Sequence, residues 1–93
     1  ALARKKLTAS LGKGYYEQKQ YAESIAAFEE TLTVCAKDDP YRCHVLLWLG
    51  YSCHAMETYA WARQCFEEVL ASPLASDDEK ASARKGIELL PTF

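Results

Sequence analysis

The sequence predicts an all-α protein built from two repeated helix-turn-helix units and one terminal helix. Three observations lead there. Residues 11–32 and 49–70 repeat one another at an offset of 38. Within each unit, apolar residues recur three and four apart, the period of a helix with one buried side. From Ser76 onward the chain carries the start signal of a further helix.

The repeat is explicit. Leu11/Leu49, Gly12/Gly50, Tyr21/Tyr59, Ala22/Ala60, Phe28/Phe66, Glu29/Glu67, Glu30/Glu68 and Leu32/Leu70 are identical, 8 of 22 positions. Average residue usage would give about 1–2. Ser24/Ala62 adds a pair of small residues.

Each element has its own reason. The first helix, about 2–18, carries Leu7, Leu11 and Tyr15 four apart, and the second, about 21–36, carries Ile25, Phe28 and Leu32. Pro40 suits the first turn of a third helix, about 41–56, and Asp38 or Asp39 suits its cap. That helix repeats the first stripe as Leu46, Leu49 and Cys53. The fourth, about 59–72, carries Ala62, Phe66, Val69 and Leu70, and Pro73 cannot continue it. The fifth, about 77–90, starts at the capping box Ser76-Asp77-Asp78-Glu79 and turns Ala83, Ile87 and Leu90 to one side before Pro91. Phe28, Leu32, Leu49, Phe66 and Leu70 are the expected core.

Composition bounds the function. A chain of 93 residues allows one domain, and 49% hydrophobic with 26% charged residues is ordinary for a globular protein. The net charge of −2 offers no basic field for nucleic acid. The longest apolar run, Val45-Leu46-Leu47-Trp48-Leu49, is far short of the roughly 20 residues of a membrane span. The chain starts at Ala1 with neither an initiator Met nor a charged-then-apolar leader, which leaves open that it is part of a longer protein. Cys35, Cys43, Cys53 and Cys65 include no C-x-x-C pair, so they read first as small apolar packing residues. Cys35 and Cys43 flank a connector and are the one candidate bridge. The compartment stays open, the cytoplasm being slightly favoured.

Chemistry is sparse. Cys43-His44 and Cys53-His54 invite a metal, but Cys43 and His54 lie about 16 Å apart along one helix axis. Zinc ligands sit within about 2.0–2.3 Å of the ion, so these two cannot share one without help from other helices. No nucleophile elbow, phosphate loop or dinucleotide fingerprint occurs. No catalytic residue, cofactor or metal is therefore expected.

Leu11-Gly12 with Tyr15, Tyr21, Ser24, Phe28 and Leu32 resembles a tetratricopeptide repeat, a helix-turn-helix unit of about 34 residues. Leu49-Gly50 with Cys53, Tyr59, Ala62, Phe66 and Leu70 resembles a second, and 77–90 is similar to the family's solvating end helix. The resemblance implies a right-handed α-solenoid, with repeat one about 4–38, repeat two about 41–73 and a capping helix about 77–90. It also implies that Gly12 and Gly50 let paired helices approach. The departures are real: the offset exceeds the family's by 4, Cys53 stands where Tyr is usual, and Thr8 and Leu46 replace an early Trp. The extra residues must fall around 33–42, as a longer second helix or a longer connector.

In this family the first helix of each pair lines a concave surface. Here that implies Lys6, Ala9, Lys13, Tyr16 and Glu17 on the first helix, and His44, Leu47, Trp48, Tyr51 and His54 on the third. Of these, Lys6, Lys13, Tyr16, His44, Leu47, Tyr51 and His54 are the expected partner-binding residues, for a protein or peptide ligand of a scaffold or adaptor. Leu47 and Trp48 could instead pack against the fifth helix. Trp61, aligned with Glu23, either covers the fifth helix or contacts another chain. The alternative function is structural assembly through homo-oligomers. Some family members clamp acidic chaperone tails, but Ala9, Lys13 and Trp48 stand at the clamp positions, so no tight binding of such tails is expected.

Overall fold

The computed structural model describes residues 2–91, with side chains from Arg4 onward. Those residues form five helices and no strand: α1 (Leu2–Glu17), α2 (Tyr21–Val34), α3 (Tyr41–Ala55), α4 (Tyr59–Ala71) and α5 (Asp77–Glu88). Each helix packs on the next, and α3 touches all four others.

The helix ends follow local chemistry. After α1 and after α3 the chain turns on a left-handed residue, Lys19 at φ 63° and Glu57 at φ 62°, again 38 apart. The bonds repeat too. Gln20 N–H reaches the Tyr15 carbonyl at 2.8 Å and Thr58 N–H reaches that of Cys53 at 2.9 Å, satisfying the last turn of each helix. The N-terminus of α3 takes its cap from Asp39, whose carboxylate accepts from Tyr41 N–H at 3.0 Å. The same carboxylate pairs with Lys5, tying the connector to α1. The capping box of α5 is complete: Ser76 Oγ accepts from Glu79 N–H at 3.1 Å, and Ser76 N–H donates to Glu79 Oε1 at 2.9 Å.

The helices end one to two residues earlier than the apolar pattern suggests. α2 (14 residues) is scarcely longer than α4 (13 residues), so the length between Leu32 and Leu46 lies in the connector and not in an added turn.

Phe28 and Phe66 are the centres of the core, fully buried together with Val45, Leu49, Cys53 and Val69. Phe66 sits against backbone on two sides: a Cβ on Gly50 or on Gly86 would stand 2.6 Å from its ring. That close approach brings α3 and α5 down onto α4. Leu32 and Leu70, expected in the core, are half-buried on its edge.

Buried hydroxyls stitch the layers. Thr31 donates to Thr8 at 2.7 Å between α2 and α1, and Ser24 and Ser52 meet between α2 and α3. Among the described residues, every buried side-chain nitrogen and oxygen has a partner.

One face behaves differently from its expectation. The stripe Leu7, Leu11, Tyr15 should cover a neighbouring helix, yet Leu7 is 62% and Leu11 49% exposed. Their equivalents at the offset of 38, Val45 and Leu49, are 0% and 2% exposed beneath α2. The physical reason is position: no helix among the described residues lies outside α1.

Candidate partner-binding face

The candidate site is built on α1, α3 and α5. Its centre is Trp48, half-buried on α3. Four groups surround the indole. Tyr16 of α1 meets it edge-on at 5.5 Å, Tyr51 one turn along α3 does so at 6.0 Å, and the Phe28 ring lies below at 6.2 Å. The Lys13 ammonium stands 5.5 Å from the ring centroid, a cation on an aromatic face. The ladder continues to Tyr21 from Tyr16 at 5.4 Å and to Phe66 from Tyr51 at 5.7 Å.

Burial shifts two groups of this face, Tyr16 and His44. Tyr16 is pushed above its ordinary phenol value by desolvation first, then by Tyr21 and Tyr51. His44 is held below the usual imidazole value, by burial first and then by the Lys13 charge, with Glu79 opposing. His44 also lies against Tyr41 at 5.2 Å, and His54 against Tyr59 at 5.5 Å.

The expected site residues divide. Lys13, Tyr16 and Tyr51 come together around Trp48, a residue the sequence leaves between two readings. Tyr51 and His54 border a cavity of about 190 Å³ between α3 and α5, floored by Phe66 and Gly86. Ser82, Lys85 and Leu89 of α5 form its other wall. His44 is half-buried at the start of α3, and Lys6 is exposed on α1, two turns before Lys13. Leu47 differs: it is 7% exposed and belongs to the core cluster, so it offers little surface to a partner. The cause is the central place of α3, which is buried on more than one side.

Trp61 is half-buried against the core. It borders a groove on another side of the molecule with Leu32 and Leu46, near the Arg42–Glu68 ion pair at 3.1 Å.

The cysteines are four free thiols. The proposed Cys35–Cys43 bridge is not formed, because Cys43 turns to Ser72 and donates to its hydroxyl at 3.4 Å. Cys53 and Cys65, both buried free thiols, are instead close enough to influence one another, a neighbouring pair that the sequence reading missed. Cys65 gives up its proton less readily and Cys53 more readily, in each case through the other thiol first. Among the described residues, no three His, Cys, Asp or Glu side chains converge to hold a metal ion, and no helix is long and apolar enough to cross a membrane.

The α5 wall of the cavity also escaped the sequence reading. The facing wall repeats the first unit: Lys13, Tyr16 and Phe28, moved by 38, become Tyr51, His54 and Phe66, which line the cavity. Comparison of the chain with models of known families, with curated proteins and with solved structures finds no match.

Proposed function

We propose that the chain is a tetratricopeptide-like module, a short right-handed α-solenoid capped by α5, and that its α1–α3–α5 face holds a segment of a partner protein. The observation that carries this is the aromatic ladder Tyr16–Trp48–Tyr51, which is only half-buried and lies beside Lys13. Half-exposed aromatic rings in contact give a partner large area at small entropy cost. Lys13, with exposed Lys6 on the same helix, favours acidic groups in that partner and a salt-sensitive association. The role is one of binding: the face supplies contact area and charge but no nucleophile paired with a base.

The test is a Lys13→Ala/Tyr16→Ala variant, first shown by circular dichroism to keep its helical signal and cooperative melting. Cross-linked partners of the wild-type chain are identified by mass spectrometry, and their affinity for both proteins is measured. A loss of about tenfold or more supports the face as the binding site. Unchanged affinity in a folded variant removes it.

A second reading rests on a separate observation. The α1 stripe Leu7–Leu11 is open where its equivalent Val45–Leu49 is covered by a helix. Such a face suits assembly through another copy of the chain. A mass that rises with concentration, and falls back in Leu7→Glu/Leu11→Glu, supports this reading; a strict monomer removes it.

A further inference from the structure

The cavity between α3 and α5 has an internal standard against which its shape can be judged. In the first unit, Lys13, Tyr16 and Phe28 enclose one side of the Trp48 indole. At the offset of 38 these three become Tyr51, His54 and Phe66. All three line the cavity. The second unit therefore repeats the walls that hold an indole in the first.

It does not repeat the indole. Where α3 supplies Trp48, α5 supplies Ser82 and Gly86, which are too small to fill the space. Gly86 cannot be replaced by anything larger without moving Phe66, because a Cβ there would lie 2.6 Å from the ring. About 190 Å³ is left, open to solvent past Tyr51, His54 and Leu89. A dry cavity of about 150 Å³ accommodates benzene. The space is of aromatic side-chain size.

Charge narrows the choice of occupant. Lys85 is exposed at the rim and forms no ion pair among the described residues. Lys85 is the one fixed cation among the lining residues, the His54 ring and the hydroxyls of Tyr51 and Ser82 are the other polar groups, and the floor is Phe66. We propose that this cavity is a socket for an aromatic side chain of a partner peptide, preferably indole, with a carboxylate beside it reaching Lys85. The inserted ring completes in trans the ladder that Trp48 completes within the chain. The inference rests on the partner-binding reading of this face and names the partner's chemistry.

The experiment uses the full chain and three small probes: N-acetyl-tryptophan, its amide, and N-acetyl-alanine. Binding is read from the backbone amide signals of Ser82, Gly86 and Leu89 in a nuclear magnetic resonance titration. N-acetyl-tryptophan should shift these signals saturably and bind about tenfold or more tightly than N-acetyl-alanine. Its amide should bind a fewfold less well, as expected for one exposed ion pair. Ser82→Trp, which would fill the socket from within, should abolish the shifts while the helical signal is kept. Should that variant not fold, Lys85→Ala still decides the carboxylate claim, since it should bind acid and amide alike.

Shifts scattered over the chain, equal binding of the alanine probe, or unchanged binding to folded Ser82→Trp would each overturn the socket. A persistent preference for the acid in Lys85→Ala would overturn the role of Lys85. If mass rises with protein concentration and Ser82→Trp prevents it, the occupant is a side chain of a second copy and the peptide assignment is wrong. The Lys13→Ala/Tyr16→Ala experiment leaves the socket untouched, so failure of one reading is distinguishable from failure of the other.

Discussion

The hydroxyl oxygens of Ser24 on α2 and Ser52 on α3 lie 2.8 Å apart, both fully buried. Ser52 donates its own proton to the Trp48 carbonyl at 3.0 Å, so the proton between the two oxygens belongs to Ser24. This bond joins the two repeated units directly beneath the Trp48 turn. In the second unit Ala62 stands in place of Ser24, without a hydroxyl.

Ser24→Ala should therefore destabilise the fold by about 1 kcal/mol, the worth of a buried neutral hydrogen bond. Ser52→Ala should cost about as much or more, since it strands the Ser24 donor. The double variant should lose less than the sum of the two. Urea denaturation of the four proteins in a double-mutant cycle measures the coupling; strict additivity would deny that the bond joins the units.

Two glycines on different sides of the molecule should respond in opposite ways to the same change. Gly50→Ala places a methyl 2.6 Å from the Phe66 ring and forces α3 from α4. Overpacking of this kind costs about 1–3 kcal/mol. Gly14, on α1, has nothing within 4 Å of an added Cβ. There Gly14→Ala should stabilise by about 0.5–1 kcal/mol through helix propensity alone. Thermal midpoints moving apart in the two variants would establish the contrast.

Lys19 and Glu57 hold left-handed backbone with full side chains, a conformation that costs a non-glycine residue about 1 kcal/mol. Lys19→Gly and Glu57→Gly should each raise stability by about 0.5–1 kcal/mol, less what glycine adds to the entropy of the unfolded chain. The measurement is the urea midpoint of each single variant. A fall in both would mean that the side chains, not the backbone, hold these turns.

The repeat, the five helices and the capping box were legible because each is a local statement: apolar period, proline, hydroxyl followed by Glu three residues on. Burial was legible only in part. The stripe Leu7–Leu11 identifies an apolar face, but periodicity carries no information on whether a neighbour lies there. Leu47 was misplaced because α3 packs on every other helix, and a central helix has no clean polar side. The turns at Lys19 and Glu57 fall between the expected helices, but they lack the Gly or Asn that usually marks left-handed backbone, so their conformation was not legible. The Cys53–Cys65 pair and the α5 wall of the cavity join residues from different helices, which spacing along one helix cannot bring together. Tyr16, Lys13 and Tyr51 were candidates only through family resemblance, and Trp48, the side chain they surround, was the one left between two readings.

Lys5 and Asp39 give the fold a defined dependence on pH. Asp39 is held below the ordinary carboxylate value of 3.8, by the hydrogen bond from Lys5 first and then by the Tyr41 N–H. Lys5 is raised above its ordinary 10.5, by that same bond to Asp39 against some desolvation. For a carboxylate lowered in the folded state, the stabilisation is complete above the unfolded value and vanishes as pH falls through the folded one. For a raised lysine it is complete below the unfolded value and vanishes as pH rises through the folded one. The pair therefore contributes across the interval from about 4 to 10.5 and is lost on both sides of it. Asp39→Asn keeps an oxygen able to cap Tyr41 N–H but removes the charge. Its urea midpoint should lie below wild type at about pH 7 and converge with it as acid carries the pH below the folded Asp39 value, where the wild-type carboxylate is neutral as well. A gap of the same size at both pH values would assign the loss to the cap and not to the ion pair. With convergence, the connector between the two units is held to α1 by charge, and high salt at neutral pH should narrow the gap as acid does.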